Sequence, residues 1–198
     1  MMNRLDFKGL NCPQPVMETK KYLDEHKAME GLHVLVDNKA ASENVSRFLS
    51  SRGFTTEVTG QDREYTINAT LSGECNECEV LDLQPLEKST LILFSHNTMG
   101  TGNKELGGKL MLSFIKTLGE IKDSLWRLVF VNEGVMLTVQ GAETLSALQD
   151  LEKKGVSLLV CGTCLDYFNL LEKKQVGQTT NMLDIMTSLQ VAGKVINF

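Results

Sequence analysis

The sequence predicts an α/β protein of two domains: a two-layer β-α-β-α-β-β sandwich over residues 1–71 and a three-layer α/β domain with an open, mainly parallel sheet over residues 89–198, joined by a linker at 72–88. Three observations carry this reading. A length of 198 residues falls between one and two domains, because compact domains cluster at about 100–150 residues. Segments of strand period alternate with segments of helical period along the chain. The stretch 72–88 interrupts them; it is acidic and holds Pro85, the one proline outside the pair Pro13 and Pro15.

In the first domain residues 4–7 read as a short strand and Gly9-Leu10-Asn11 as a turn. Residues 13–26 read as a helix, since proline is tolerated in a first turn and Val16, Lys20, Tyr22 and Leu23 mark one face. After Gly31, the alternating, β-branched run 32–37 is a strand. Ser42 or Asn44 is expected to cap a second helix through Ser51, with Val45, Phe48 and Leu49 inward and Gly53 as its stop. Residues 54–59 and 64–69 form a hairpin across Gly60-Gln61-Asp62-Arg63. Two helices on one face of four strands make two layers.

The strands of the second domain, 90–95, 127–132 and 157–161, are apolar nearly throughout, as expected of central parallel strands covered on both faces. Helices are expected at 104–119, 142–154, around 164–173 and at 181–192, with a closing strand at 194–198. Repeated β-α units imply right-handed crossovers, with function where strand ends meet helix starts.

Composition narrows the function classes. With 42% hydrophobic and 23% charged residues and 3 prolines, the chain is globular rather than disordered or collagen-like. Its net charge of −5 argues against a general binder of nucleic acid or of anionic membranes. Neither half reverses that balance: residues 1–79 carry 9 bases against 13 acids, and residues 80–198 carry 11 against 12. The longest apolar runs, 91–94 and 156–161, fall far short of the roughly 20 residues that span a bilayer. The first residues, Met1-Met2-Asn3-Arg4-Leu5-Asp6-Phe7-Lys8, put charges where a signal peptide needs an apolar stretch, so the expected compartment is the cytoplasm. Five cysteines without a secretion signal point to thiol chemistry or metal binding rather than to a disulfide framework.

Cys12 stands in Gly9-Leu10-Asn11-Cys12-Pro13-Gln14-Pro15, just before or at the first turn of the first helix. Unpaired N–H groups and the positive end of the helix dipole stabilise a thiolate there, and Pro13 and Pro15 stiffen the approach without sacrificing helical hydrogen bonds. Such a thiolate can receive sulfur as a persulfide and hand it on. The competing reading is a small buried apolar cysteine. The segment 5–15 resembles the signature of TusA/SirA-type sulfur-carrier proteins, and the likeness extends over about residues 3–70 with its β-α-β-α-β-β order. That resemblance implies Cys12 as the residue that carries a persulfide, with a cysteine desulfurase or another sulfur or selenium donor protein upstream and an acceptor protein downstream.

A second cluster, Val160-Cys161-Gly162-Thr163-Cys164-Leu165-Asp166, ends a buried strand and opens a helix. A Cys-x-x-Cys pair can cycle between dithiol and disulfide, one thiol attacking and the other resolving, or supply half of a zinc site. Residues 88–198 resemble DsrE/DsrF-like sulfur-relay subunits, which implies Cys161 as the functional cysteine, Cys164 as its resolving partner, and a homo-oligomer. With Asn132-Glu133-Gly134-Val135 and Asn181-Met182, the whole chain resembles YedF-type proteins, which are associated with selenium metabolism in name.

Cys75 and Cys78 lie in the linker, where they could relay sulfur between the domains or join Cys161 and Cys164 in a zinc site of four thiolates. Glu74, Glu77 and Glu79 beside them disfavour a thiolate by like charge. The segment 95–104, with Gly100 and Gly102, follows a strand and precedes a helix, so it is expected to line a pocket near Cys161 as a tight loop; it lacks the Gly-Lys-Ser/Thr of a phosphate loop. His26, His33 and His96 read as structural, with His96 the one candidate base.

Together these readings predict a sulfur, or selenium, relay protein of sulfurtransferase type, with Cys12, Cys161 and Cys164 as reacting residues, Pro13, Pro15, Gly100, Gly102 and Gly162 in support, and Cys75 and Cys78 as a further relay. No cofactor and no metal are called for by this reading, and neither nucleic acid nor membrane is an expected partner. The alternative is a non-catalytic regulatory or scaffold protein whose Cys-x-x-Cys pairs bind zinc.

Overall fold

The structure is a computed structural model that describes residues 3–26, 30–61, 63–72 and 86–198, and the chain divides into two compact units, 1–83 and 84–198. The first unit runs β1 (Asn3–Asp6), α1 (Gln14–Glu25), β2 (Gly31–Val36), α2 (Lys39–Ser51), β3 (Phe54–Gln61) and β4 (Glu64–Leu71). Its sheet has the order β1-β2-β4-β3, with β1 parallel to β2 and the other pairs antiparallel. Period-two alternation sorts the side chains: Leu32, Val34 and Val36 of β2 and Ile67 and Ala69 of β4 are buried, as are Val16 of α1 and Val45 and Leu49 of α2. His33 alternates to the other face, where its Nδ1 meets Asn68 Oδ1 at 2.6 Å across the β2–β4 ladder.

The second helix starts earlier than expected. Asn38, rather than Ser42 or Asn44, caps it by accepting the Ala41 N–H at 2.7 Å. Ser42 and Asn44 are buried within α2, and Ser42 spends its hydroxyl on the Lys39 carbonyl. The strand before it ends at Val36, so the chain has only two residues in which to turn, and the cap falls on the second. Asn38→Ala is expected to lower stability by about 1 kcal/mol, read as a lower urea midpoint at unchanged slope.

The second unit runs β5 (Leu86–Phe94), α3 (Lys104–Thr117), β6 (Leu125–Phe130), α4 (Leu145–Lys153), β7 (Ser157–Cys161), α5 (Gly162–Tyr167), β8 (Gln178–Thr180), α6 (Met182–Val191) and β9 (Ala192–Asn197). The sheet order is β8-β7-β6-β5-β9 and every neighbouring pair is parallel. From β5 to β8 the chain steps in one direction, then returns across the sheet to β9. Right-handed crossovers therefore place α6 on the face opposite α3 and α4. The core contains Leu128, Val129 and Phe130 of β6, Leu158, Leu159 and Val160 of β7, and Met111, Ile115, Leu148 and Leu151 from the helices. Phe94 stacks on Phe130 with ring centroids 5.1 Å apart.

Two elements escape the sequence pattern. The helix expected around 164–173 is two pieces, α5 and a 3-10 turn at Leu171–Lys173, broken where Asn169 takes φ 55°. β8 is only three residues, Gln-Thr-Thr, too short and polar to register as a strand, and exists because β7 supplies its ladder. A further 3-10 segment, Asn132–Thr138, follows β6.

Candidate functional site

Cys12 is presented by the β1–α1 connection of the first unit. The Phe7 N–H donates to the Leu35 carbonyl at 2.8 Å and the Leu10 N–H to the Phe7 carbonyl at 3.2 Å. Gly9, at φ 78°, donates its N–H to Asp37 Oδ2 at 2.7 Å. The loop is thereby tied to the end of β2, and Cys12 is left exposed just ahead of α1. Pro13 occupies the cap position and the buried Pro15 the first turn.

The helix start offers Cys12 fewer donors than its sequence position suggests. The N–H of Gln14 is spent on the Asn11 carbonyl at 2.8 Å, those of Val16 and Met17 on the Pro13 carbonyl at 3.1 Å, and the two prolines have none. Among the described residues, the opening of α1 therefore leaves Cys12 no spare donor from these positions. What the fold gives Cys12 is exposure on a tethered loop. Asp37, which ties it, was not singled out from the sequence; an acid immediately after a strand and level with a Gly turn is the signal that could have found it.

In the second unit all five strands run the same way, so the ends of β5, β6 and β7 lie along one edge of the sheet. Cys161 is the last residue of β7 and is buried; Cys164 sits half-buried in the first turn of α5. The two thiols are hydrogen bonded, and the Asn132 N–H donates to Cys164 Sγ at 3.1 Å. Asn132 reaches it at φ 48°, a left-handed conformation that asparagine tolerates better than most residues. The Cys161 hydrogen bond is the main reason that the Cys164 thiol is lowered from its ordinary 9.0 to about 6; partial burial opposes this and the Asn132 N–H assists it.

The backbone that carries Asn132 is itself fixed by β5. The Val131 N–H donates to the Phe94 carbonyl at 2.9 Å, and Gly134 lies so close that a Cβ there would fall 2.2 Å from the same oxygen. Gly162 is buried at the start of α5. Gly100 and Gly102 are exposed at φ 79° and 126° in the loop after β5. That loop meets the 3-10 segment through Asn97 Nδ2 and Met136 Sδ at 3.5 Å. The glycines belong to the loop after β5, and β6 lies between β5 and β7 in the sheet. His96 Nδ1 pairs with Ser95 Oγ at 3.0 Å.

On the other side of β7, Thr180 of β8 is the register partner of Cys161. Its buried hydroxyl donates to Asp184 Oδ2 at 3.2 Å, and Asn181 caps α6 while its amide donates to the same carboxylate at 3.0 Å. Asn132 entered the sequence reading as the last residue of an expected strand and as part of a resemblance, whereas β6 ends at Phe130 and Asn132 opens the 3-10 segment; Thr180 did not enter it at all, since β8 has no strand pattern of its own. Cys75 and Cys78 lie outside the described residues. Among the described residues, no group of three or more His, Cys, Asp or Glu is placed to hold a metal ion, and no helix is long and apolar enough to cross a membrane.

Residues 3–69 match the family model of the sulfurtransferase TusA, and residues 88–198, more than half of the chain, match the DsrE/DsrF-like family. A Methanocaldococcus jannaschii protein bearing the name of a sulfur carrier protein is 46% identical over 54 residues, 27% of this chain and 72% of its own length. The chain belongs to the TusA and DsrE/DsrF-like families. The TusA match contains Cys12, and the DsrE/DsrF-like match contains Cys161 and Cys164. Among solved structures, a SirA-like protein of Desulfitobacterium hafniense is 30% identical, covering 37% of this chain and 100% of its own, with a TM-score of 0.32. The YchN protein of E. coli is 17% identical, covering 56% of this chain and 99% of its own, with a TM-score of 0.44.

Proposed function

We propose that the protein is a sulfur relay in which Cys12 carries sulfur as a persulfide and passes it by thiol exchange to the Cys161–Cys164 pair or to an acceptor protein. The observation that carries this reading is the exposure of Cys12 on a loop tied to Asp37, within a domain of the TusA family. Sulfur transfer between proteins requires a thiol that a second protein's thiol can reach, and a pair whose half-buried member has a lowered thiol pKa is a competent recipient. The donor is a cysteine desulfurase or a chemically equivalent source of sulfur or selenium, and the setting is a reducing cytoplasm in which free thiols persist. This reading assigns carriage to the first unit, a further relay to Cys75 and Cys78, and the second thiol site to the unit whose first strand opens at Leu86, earlier than the expected boundary at 89; that second unit acts as a homo-oligomer.

The test is intact mass and peptide mapping after incubation with L-cysteine and a cysteine desulfurase. The expected result is a gain of about 32 Da on the Cys12 peptide that reductant removes, reduced to background in Cys12→Ala. Selenocysteine in the same assay reads whether selenium is carried. An unmodified Cys12 together with one tightly bound zinc per chain would overturn the relay in favour of the zinc scaffold.

A further inference from the structure

The thiol pair of the second unit has two different members. Cys164 is the half-buried one, held by the Asn132 N–H, while Cys161 lies beneath it with 5% of its surface exposed. Sulfur arriving from solvent or from another protein therefore meets Cys164 first. The hydrogen bond from Cys161 ends on Cys164 Sγ itself, which becomes the inner sulfur of any persulfide formed there. The product of a thiol attack on a persulfide depends on which sulfur is struck. Attack on the outer sulfur moves it to the attacker; attack on the inner sulfur expels it.

We propose that the pair is a sulfide-releasing site with the two roles exchanged from those the family resemblance implies: Cys164 accepts the sulfane sulfur and Cys161 resolves the persulfide by attacking Cys164 Sγ. This inference rests on the relay reading above and adds the fate of the sulfur. The step balances within the pair: the Cys161–Cys164 S–S bond forms as the bond from Cys164 Sγ to the terminal sulfur breaks. The two cysteine sulfurs are oxidised to the disulfide, the sulfane sulfur is reduced to hydrosulfide, and the Cys161 proton leaves with it. A dithiol reductant of the thioredoxin class then returns the disulfide to two thiols. Cys-x-x-Cys is a spacing at which two thiols cycle between dithiol and disulfide.

The experiment uses the full chain with Cys12, Cys75 and Cys78 replaced by alanine, treated without oxygen with one equivalent of glutathione persulfide. The expected outcome is a loss of about 2 Da, a Cys161–Cys164 disulfide on peptide mapping, and about one hydrosulfide per chain. Cys161→Ser and Cys161→Ala in that background are expected instead to gain about 32 Da on Cys164 and to release no hydrosulfide of their own. Cys164→Ser is expected to show neither change. If the parent chain keeps its added sulfur and forms no disulfide, the release step is overturned while sulfur carriage stands. If neither the parent nor the Cys161 variants change mass, sulfur acceptance by this pair falls as well.

Discussion

Alkylation of Cys164 by iodoacetamide is expected to rise with pH through a midpoint near 6 and to level off above it, because the thiolate is the reacting form and the thiol is lowered to about 6. The Cys161 hydrogen bond is the largest cause of that lowering, so Cys161→Ala moves the midpoint upward. The rate at neutral pH is a poor reporter: a thiolate of higher pKa is intrinsically more nucleophilic, and the two effects partly cancel. Below the midpoint the loss of thiolate outweighs the gain in nucleophilicity by more. In the limit of a full return from about 6 to 9.0, the thiolate fraction at pH 5.5 falls by nearly a thousandfold, greater nucleophilicity restores roughly 20–30-fold, and a loss of about 30-fold remains. An unchanged midpoint in Cys161→Ala would show that the thiols are not coupled. Linkage gives a second reading with a fixed sign. Between about 6 and 9.0 the unfolded chain binds more protons at Cys164 than the folded one, so its contribution to stability grows with pH across that window, is complete above it, and is lost as pH falls through about 6.

The second large effect is expected at Gly134. A Cβ there would lie 2.2 Å from the Phe94 carbonyl oxygen and 2.9 Å from its carbon. Both are backbone atoms, and Phe94 is fully buried against Phe130, so the strain has no flexible side chain in which to dissipate. Gly134→Ala is expected to destabilise the second unit by about 1–3 kcal/mol, the range for overpacking a tight contact, which is about 4–12 °C in Tm for a domain of this size. The strain also falls on Val131, whose N–H shares the Phe94 carbonyl, and next to it on Asn132, which donates to Cys164. Calorimetry and the alkylation midpoint should therefore move together, the midpoint upward. A lower Tm with an unmoved midpoint would separate Gly134 from the thiol site and leave it a packing residue alone.

The alternation in β2 and the unbroken apolar runs of β6 and β7 were legible because burial on one or both faces of a sheet writes a period into the residues themselves. The cysteines were legible because Cys-Pro-x-Pro and Cys-x-x-Cys are local patterns beside helix starts. Asn38 as the cap of α2 was less so: several polar residues competed for the position, and the end of β2 decided among them. β8 has no pattern, since its three residues are a strand only by pairing with β7.

Residue spacing by itself determined the two-domain α/β class, the placing of Cys12 ahead of a helix, and the presence of two thiols three residues apart. Only the tertiary structure decided how those thiols differ. Burial separated Cys161 from Cys164, and the 3-10 segment after β6, pressed against the Phe94 carbonyl, brought the Asn132 N–H to Cys164 from 32 residues away. At Cys12 it also showed the helix-start N–H groups already engaged and Asp37 holding the loop. The physical reason is the same in each case: hydrogen-bond donors and burial act over a few ångströms in space, and distance in space is set by packing, which no local pattern of residues records.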